Sequence, residues 1–331
     1  MAPVGNGVAE RRGAGAVSPT GPALDVAAAW ALIRALRERR DSDRDDGSPD
    51  EWPLRLDGPA WAEAAKGSAD VVVTPGTAKL HWRRRQPDPE ARAILELHIE
   101  LALRPREPGH VMAILGQSLD GFIATRDGQS RYINGEESLV HLHRLRSLSD
   151  AVLVGIGTVL ADEPRLTTRH VAGGNAVRVV LDPRGRLPPT AGLLHDGAAP
   201  TIVVRGGGEG GTERRLTDQA VEIRLPLQAG SMAPTAVVAA LAARGLGRLL
   251  IEGGGVTVGR FVDAGLVDRV QLAVSPVILG TGRPALPIAP AARLEHAMRP
   301  TCRSFGLGAD VLFDLRLGRA DGNAAPKPEI C

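Results

Sequence analysis

The stretch LLIEGGGVTVG, residues 249–259, decides how the second half of this chain is interpreted. Three apolar residues lead into Glu252, three glycines follow, and helical spacing begins near Val256. In open α/β sheets ligands bind outside the carboxyl ends of the strands, and glycine there lets the backbone turn sharply and approach a ligand. Free N–H groups at the start of the next helix would attract an anion. The stretch therefore predicts a phosphate-binding turn edged by a carboxylate, although a tight connection without a ligand has the same pattern.

On both sides of this turn, short apolar or β-branched segments alternate with helical ones. Strands are predicted at 111–116, 150–155, 176–182, 200–206, 221–226, 247–254, 269–280 and 311–317. Helices are predicted at 135–147, 234–245 and 257–266. This alternation indicates a largely parallel sheet covered by helices on both faces. The continuous apolar run SPVILG (275–280) is typical of a strand buried on both sides.

Composition divides the chain into four parts. Residues 1–24, rich in Gly, Ala and Pro, are expected to be disordered, and 319–331 to form a flexible tail. Residues 25–107 form a predicted small α+β appendage, and the main domain is expected to span 108–318.

The appendage has its own elements. A helix is predicted over 27–39 from the spacing of its apolar residues, and a strand over 69–76. Residues 95–103 alternate apolar and polar side chains, which predicts a second strand.

The composition also excludes several classes of function. A net charge of +2 provides no concentrated basic face for a nucleic acid. The lysines are Lys66, Lys79 and Lys327, so a phosphate in the main domain must bind to arginine, backbone N–H groups or helix N-termini. Cys302 and Cys331 lack metal-ligand spacing, so no metal site is predicted. Neither a secretory signal nor an apolar run of about 18 residues is present, so no membrane partner and a cytoplasmic location are expected.

Two more glycine-containing segments follow predicted strands. GQSLDGFIATRDGQSRYING (116–135) begins with a turn at Ser118–Gly121 and continues as a long polar loop. Gly155–Ile156–Gly157 ends another strand and precedes a run that contains Asp162 and Arg169.

Together these stretches resemble a known family. SLDGFIAT (118–125) resembles the dihydrofolate-reductase superfamily. RYINGEESLVHLHRLRSLSDAVLVGIGTVLADEPRLTTR (131–169), VVLDPRGRLP (179–188) and LLIEGGGVTVGRFVDAGLVD (249–268) are similar to the pyrimidine reductase of riboflavin biosynthesis, the C-terminal half of the bifunctional deaminase–reductase. The resemblance covers roughly 110–318 and implies a dihydrofolate-reductase-like α/β fold, with a mostly parallel sheet and helices on both faces.

The resemblance implies a reaction and a set of site residues. NADPH would reduce a 5-phosphoribosylamino-pyrimidine to its ribitylamino form by giving a hydride to ribose C1′. Substrate contacts of the family fall on Ser130, Arg146, Leu166, Arg169 and Glu252. Its cofactor contacts fall on Gly116, Tyr132, Thr158, Asp162 and the run 254–260, which includes Gly254, Gly255, Val256 and Thr257.

Roles follow from side-chain chemistry within that resemblance. Arg146 and Arg169 are expected to grip the 5′-phosphate. Glu252 and Asp162 are the expected catalytic pair. Glu252 would accept hydrogen bonds from the pyrimidine amines or ribose hydroxyls, or relay a proton. Asp162 would orient the nicotinamide carboxamide. On local grounds alone, Ser130 would be a turn residue, Arg146 part of a solvated helix face, and Asp162 a cap or turn residue.

The sequence departs from the family pattern at two positions. Ile114 stands where members often carry a lysine, which leaves the proton donor unidentified, and Pro183 stands where a serine is common. These departures keep two alternatives open: a reductase of the same fold that acts on another heterocycle, and a catalytically silent nucleotide-binding scaffold.

The expected partners follow from the same reasoning. Residues 1–107 contain no cysteine and no zinc-deaminase signature, so a separate deaminase is expected to act in the pathway. A homodimer is expected, with 269–280 and 311–317 as candidate contact strands.

Overall fold

The computed structural model describes residues 22–42, 50–107, 109–131, 133–208, 213–228 and 230–318. The chain divides into two compact units, Met1–Ile99 and Glu100–Cys331. The disorder predicted for 1–24 and 319–331 lies outside the described residues except at 22–24. There Leu24 is buried and forms a bridge with Pro87, so order begins before residue 25.

The first unit combines helices with a small antiparallel sheet. Its elements are α1 (Val26–Ser42), β1 (Trp52–Asp57), β2 (Ala60–Glu63), β3 (Val71–Thr74), β4 (Lys79–Trp82) and α2 (Pro89–Leu103), whose last residues cross into the second unit. The sheet order is β2-β1-β3-β4. The predicted helix over 27–39 is confirmed by α1, which buries Trp30, Ile33 and Leu36 as their spacing requires. Lys66 and Lys79 are exposed in this unit.

The strand predicted at 95–103 is wrong, because these residues belong to helix α2. The helix begins at Pro89, where proline needs no N–H partner, and the Asp88 carboxylate accepts from the Ala91 N–H at 2.7 Å. Ala91, Leu95 and His98 are buried at helical spacing. The alternation of period two inside 95–103 is real in the sequence, but the proline and the cap upstream decide the local structure.

The second unit is built on a ten-stranded sheet with helices against it. In chain order the elements are β5 (His110–Ser118), β6 (Phe122–Ala124), α3 (Glu136–Leu148), β7 (Ala151–Gly155), α4 (Ile156–Asp162), β8 (Val177–Asp182), β9 (Thr201–Gly206), β10 (Glu213–Arg215), β11 (Ala220–Leu225), β12 (Leu227–Gln228), β13 (Ser231–Met232), α5 (Pro234–Ala242), β14 (Arg248–Glu252), α6 (Gly255–Asp263), β15 (Arg269–Ser275), β16 (Arg283–Pro284), β17 (Thr301–Leu307) and β18 (Asp310–Arg316). The sheet order is β10-β11-β9-β8-β7-β14-β5-β15-β18-β17, while β6 pairs with β16 and β12 with β13.

The centre of this sheet is parallel and its edges are not. Neighbouring strands from β11 through β9, β8, β7, β14 and β5 to β15 are parallel. Strand β10 at one edge and strands β18 and β17 at the other are antiparallel. The predicted α/β class is confirmed, with a strand near each position expected in the main domain.

The last part of the predicted strand 269–280 is wrong. Strand β15 ends at Ser275, and Ile278 is 72% exposed. Pro276 cannot donate to a strand neighbour, and the chain instead packs against the turn after β5. There the Leu119 N–H donates to the Val277 carbonyl at 2.7 Å, and the Gly280 N–H donates to Asp120 at 2.6 Å.

Helices cover both faces of the sheet. Val237 of α5 and Phe261 of α6 belong to a buried apolar cluster that includes Val270 of β15. The next residue, Gln271, points to the other face, where its Oε1 contacts Nε2 of His141 on α3 at 2.7 Å. The carboxyl ends of the central strands therefore open between these helices, in the position where open α/β sheets bind ligands. Among the residues that the structure describes, no helix is long and apolar enough to cross a membrane.

Candidate active site

A large cavity lies at the carboxyl ends of strands β5, β7 and β14. Its volume is about 1420 Å³, above the range of about 300–1,000 Å³ typical of a site for one small ligand. It is lined by most of the predicted site residues: Gly116, Ser130, Arg146, Thr158, Asp162, Leu166, Arg169, Glu252, Gly254, Gly255, Val256, Thr257 and Arg260. Val258 and Gly259 of the predicted run 254–260 are buried in α6 and do not line it. The predicted cofactor contact Tyr132 lies outside the described residues.

The turn between β14 and α6 has a conformation that glycine favours. Gly253 and Gly254 have φ angles of 76° and 69°, which residues with a side chain rarely adopt. Gly254 is the N-cap of α6. A Cβ atom on Gly255 would lie 2.5 Å from the Ala285 carbonyl oxygen, so only glycine fits there. The start of α6, with its positive dipole end, thus forms part of the cavity wall and can hold an anion.

A second glycine turn packs directly against the first. Gly155 ends β7 and is the N-cap of α4. A Cβ atom there would lie 2.5 Å from Oγ1 of Thr257 on α6. A Cβ atom on Gly254 would in turn approach Thr158 of α4 at 3.4 Å. The two turns, about a hundred residues apart in the sequence, therefore converge as their shared position at parallel strand ends requires.

Arg146 and Glu252 form a buried ion pair at the base of the cavity. Nε of Arg146 donates to Oε1 of Glu252 at 2.7 Å, and Nη2 donates to Oε2 at 2.6 Å. Nη1 donates to the Thr167 carbonyl at 2.9 Å. Burial opposes the charge on Arg146, but the carboxylate outweighs it and holds the pKa of Arg146 above its ordinary value.

This pairing changes the interpretation of Arg146. The local expectation of a solvated helix face is wrong, because Arg146 is 7% exposed. Three of its five N–H donors are engaged by Glu252 and Thr167, and its expected grip on a phosphate stays a prediction. Arg146 holds the Glu252 carboxylate in one orientation through two parallel hydrogen bonds.

Arg169 is placed differently from Arg146. It lines the cavity with an exposed side chain, and its Nη1 donates to Oγ1 of Thr167 at 2.8 Å. In the part of the chain that the structure describes, no carboxylate forms a salt bridge with it. Partial burial, with Arg146 and Arg165 nearby, lowers the pKa of Arg169. This guanidinium is therefore a candidate ligand for an anionic group.

Ser130 and Asp162 lie together on the cavity wall. Oγ of Ser130 lies 3.5 Å from Oδ1 of Asp162, at the limit of a hydrogen bond. Asp162 is the last residue of α4, and the following Glu163 has a φ of 43° and closes the helix. Both side chains keep hydrogen-bonding capacity that a ligand could use.

A cluster that the sequence does not reveal anchors the loop before α3. Oδ2 of Asp310 accepts from the Gly135 N–H at 2.8 Å and from Oγ of Ser138 at 2.6 Å. Nδ2 of Asn134 donates to the Ala273 carbonyl at 2.9 Å, and a Cβ atom on Gly116 would clash with Asn134. Burial opposes the charge on Asp310, but these bonds lower its pKa. From the sequence, only the turn at Asn134 and Gly135 before the helix could have been predicted. Nothing local in the sequence indicates the contact with Asp310.

The two departures from the family pattern both face the cavity. Ile114 lies opposite Glu252 in the register between β5 and β14. Pro183 follows β8 and lines the wall beside Arg184 and Arg186, which the sequence did not single out. Ile114 gives the carboxylate an apolar neighbour and supplies no proton.

Comparison with known proteins gives one consistent set of relatives. The family model of the RibD C-terminal domain matches residues 109–298. The 2,5-diamino-6-ribosylamino-4(3H)-pyrimidinone 5′-phosphate reductase of Methanothermobacter thermautotrophicus is 36% identical over 222 residues, which is 62% of this chain and 96% of that protein. The riboflavin biosynthesis protein RibD of Bacillus amyloliquefaciens is 36% identical over 165 residues, 49% of this chain.

The solved structures agree in fold. Acinetobacter baumannii RibD superposes with a TM-score of 0.57 at 24% identity, over 71% of this chain and 66% of that one. This chain spans about half the length of the bacterial RibD sequences that it matches, 44% for Bacillus amyloliquefaciens and 54% for Mycobacterium tuberculosis. All of these matches concern the second unit for the most part, the unit that contains the cavity.

Proposed function

This chain belongs to the family of the RibD C-terminal domain, and on that premise we propose that it is an NADPH-dependent reductase. Its substrate is a 5-phosphoribosylamino-pyrimidine, and its product is the ribitylamino form. The observation that carries the proposal is the convergence of two glycine turns, the Arg146–Glu252 pair and Arg169 in one cavity. The name of the archaeal relative, whose length this chain covers almost fully, supports the same reaction.

The glycine side of the cavity fits a dinucleotide. The start of α6, which follows the N-cap Gly254 and lines the cavity, suits a pyrophosphate. Gly116, Thr158 and Asp162 would complete this wall. NADPH, when bound, supplies the hydride that the reduction requires.

Arg184 and Arg186 support a preference for NADPH over NADH. Both residues line the cavity beyond the end of β8. The extra group that distinguishes NADPH is a ribose 2′-phosphate, which arginine binds well. Pro183 offers neither a hydroxyl nor an N–H, so these arginines carry that task.

The other side of the cavity suits a sugar phosphate. Arg169 binds the 5′-phosphate, and Leu166 packs beneath the sugar. Glu252, oriented by Arg146, accepts hydrogen bonds from the pyrimidine amines or ribose hydroxyls and can take up or pass on a proton. Because Ile114 cannot donate, the proton needed at the ring oxygen or nitrogen arrives through Glu252 or solvent.

This function implies partners. A relative from Thermotoga maritima is named as both deaminase and reductase, whereas residues 1–107 here contain no cysteine for a zinc deaminase. We propose that a separate deaminase acts in the same pathway, and that this protein acts in the cytoplasm. We also infer a homodimer, because Val311 and Phe313 of β18 are exposed apolar residues near the open sheet edge.

The test is the reaction itself. Purified protein is mixed with NADPH and enzymatically prepared 5-phosphoribosylamino-pyrimidine, and the loss of NADPH absorbance is followed while mass spectrometry identifies the product. The expected result is a ribitylamino product, with NADPH preferred to NADH and the phosphorylated substrate preferred to its dephosphorylated form. Binding of NADPH without oxidation would indicate the silent scaffold, and oxidation only with another heterocycle would indicate the alternative reductase.

A further inference from the structure

Helix α3 holds the segment Leu166–Arg169 through two buried side chains. Arg146 donates to the Thr167 carbonyl at 2.9 Å. About one turn earlier on the helix, Nδ1 of His143 accepts from the backbone N–H of Arg169 at 2.8 Å. His143 has no exposed surface. The segment is therefore fixed to the helix at its second and at its last residue.

The conformation of this segment explains why it needs such contacts. Leu166 has a φ of 53°, in the left-handed region that a leucine rarely adopts, and it is buried against the cavity. A strained backbone of this kind persists only where its surroundings over-determine it. The two bonds from α3 supply that constraint, and Arg169 follows directly with its guanidinium on the cavity wall.

The chemistry of the contact requires a neutral ring. Burial first, and then the nearby Arg146, Arg169 and His170, lower the pKa of His143 to about 3. The His170 ring lies 4.6 Å away, centroid to centroid. Nε2 of His143 is buried and has no hydrogen-bond partner among the described residues. The imidazole therefore stays neutral near pH 7, and its Nδ1 accepts the hydrogen bond. A carboxylate at this position could also accept, but it would form ion pairs with the neighbouring guanidinium groups.

We propose that His143 is a positioning residue, whose Nδ1 acceptor fixes the backbone of Arg169 so that its guanidinium meets the substrate phosphate. His143 itself does not line the cavity. The inference rests on the proposed function for the identity of the anion, but the hydrogen bond exists whatever that anion is.

Steady-state kinetics of His143→Leu tests the role. We expect KM for the phosphorylated pyrimidine to rise about tenfold, equivalent to about 1.4 kcal/mol. Turnover and KM for NADPH should change less than about threefold, since only anion binding is affected. His143→Asn offers an amide oxygen as acceptor and should restore KM to within about threefold of the wild type.

His141→Leu is the matched control. His141 lies on the same helix, is equally buried, and bonds to Gln271 on β15. It should leave KM for the phosphorylated substrate unchanged. An unchanged KM in His143→Leu, an equal rise in His141→Leu, or no recovery in His143→Asn would each overturn the proposal.

A second measurement does not depend on turnover. Long-range ¹H–¹⁵N spectra of histidine-labelled wild type should show the His143 ring as the neutral Nε2–H tautomer, unchanged from about pH 5 to 8. A protonated ring or an Nδ1–H tautomer overturns the proposal even if His143→Leu fails to fold.

If the wild type does not reduce the pyrimidine, the proposed function fails. Calorimetry with inorganic phosphate then tests the role of His143 by itself. His143→Leu should then bind phosphate about tenfold more weakly than His141→Leu, and equal affinities overturn the inference.

Discussion

The two ends of strand β14 carry buried ion pairs of opposite character. At the amino end, Arg248 donates to Asp150 from Nε at 3.0 Å and from Nη2 at 2.9 Å. The Arg248 backbone N–H and the Arg106 side chain also donate to the same carboxylate. At the carboxyl end, Glu252 is held by Arg146 alone among the bonds that the structure describes, and the pair borders the cavity.

The difference shows how one five-residue strand can serve two purposes. The amino-end carboxylate is saturated with donors and closed to ligands, so it contributes to stability. The carboxyl-end carboxylate keeps lone pairs that face open space, so it can act on a substrate. Removing the carboxylate of the amino-end pair should therefore lower stability and leave turnover unchanged. Removing the carboxylate of the carboxyl-end pair should mainly lower turnover.

Asp150→Asn should have the largest effect, and it acts on stability. The change keeps the shape but leaves the buried Arg248 charge without its carboxylate, which typically costs about 3–5 kcal/mol. Urea unfolding should show the loss, while turnover per folded molecule stays at the wild-type level. Arg106→Ala, which removes the half-exposed donor, should cost less than about 1 kcal/mol. If Asp150→Asn impaired turnover and not stability, the comparison would be wrong.

Glu252→Gln should have the converse effect. The amide keeps the shape but loses the charge that accepts protons and hydrogen bonds, so kcat should fall on the order of a hundredfold or more. NADPH affinity, measured by fluorescence, should stay within about threefold, and the loss of stability should be smaller than in Asp150→Asn. Normal turnover in this variant would remove Glu252 from the mechanism.

Acid should destabilise the protein through the buried His141 of helix α3. Burial lowers the pKa of His141 to about 4, below its ordinary 6.5. The unfolded chain therefore binds the proton first, and stability falls as the pH drops from about 6.5 towards 4, by at most about 3 kcal/mol from this residue. Urea midpoints measured across that range should fall less steeply in His141→Gln. An identical slope in the two proteins would assign the acid sensitivity elsewhere.

Arg169→Ala should have the smallest effect, confined to one kinetic constant. Loss of a single phosphate contact should raise KM for the phosphorylated substrate about tenfold with kcat changed less than about threefold. Arg165→Ala is the matched control, because Arg165 is exposed nearby but does not line the cavity. A fall in kcat as large as that of Glu252→Gln would mean that Arg169 contributes to the chemical step.

The sequence predicts the parallel centre of the fold well because its signals are local. Strands such as β7 and β14 read as short apolar runs, and the glycines that follow them mark strand ends. The prediction fails where a neighbour in space or a cap decides the structure. Helix α2 depends on Asp88 and Pro89 upstream of the alternating residues, and the seven-residue helix α4 lies inside what the sequence presents as a glycine turn.

The site shows the same division. Glycine chemistry places Gly155 and Gly254 at strand ends, and both turns meet in the cavity. The partner of Glu252 lies 106 residues away and could not be identified from spacing, because the contact depends on how α3 packs beside β14. The sequence therefore predicts which residues gather at the cavity, and the structure adds which of them neutralise one another.

The scarcity of lysine gives this protein an unusual chemical handle. Exposed primary amines on side chains occur in the first unit, at Lys66 and Lys79, and the described part of the second unit has none. Apart from Lys327, which lies outside the described residues, the side-chain amines that dyes, cross-linkers or solid supports would couple to are those of the first unit. A surface-immobilised or labelled preparation should keep its cavity chemically untouched without any engineering of attachment sites.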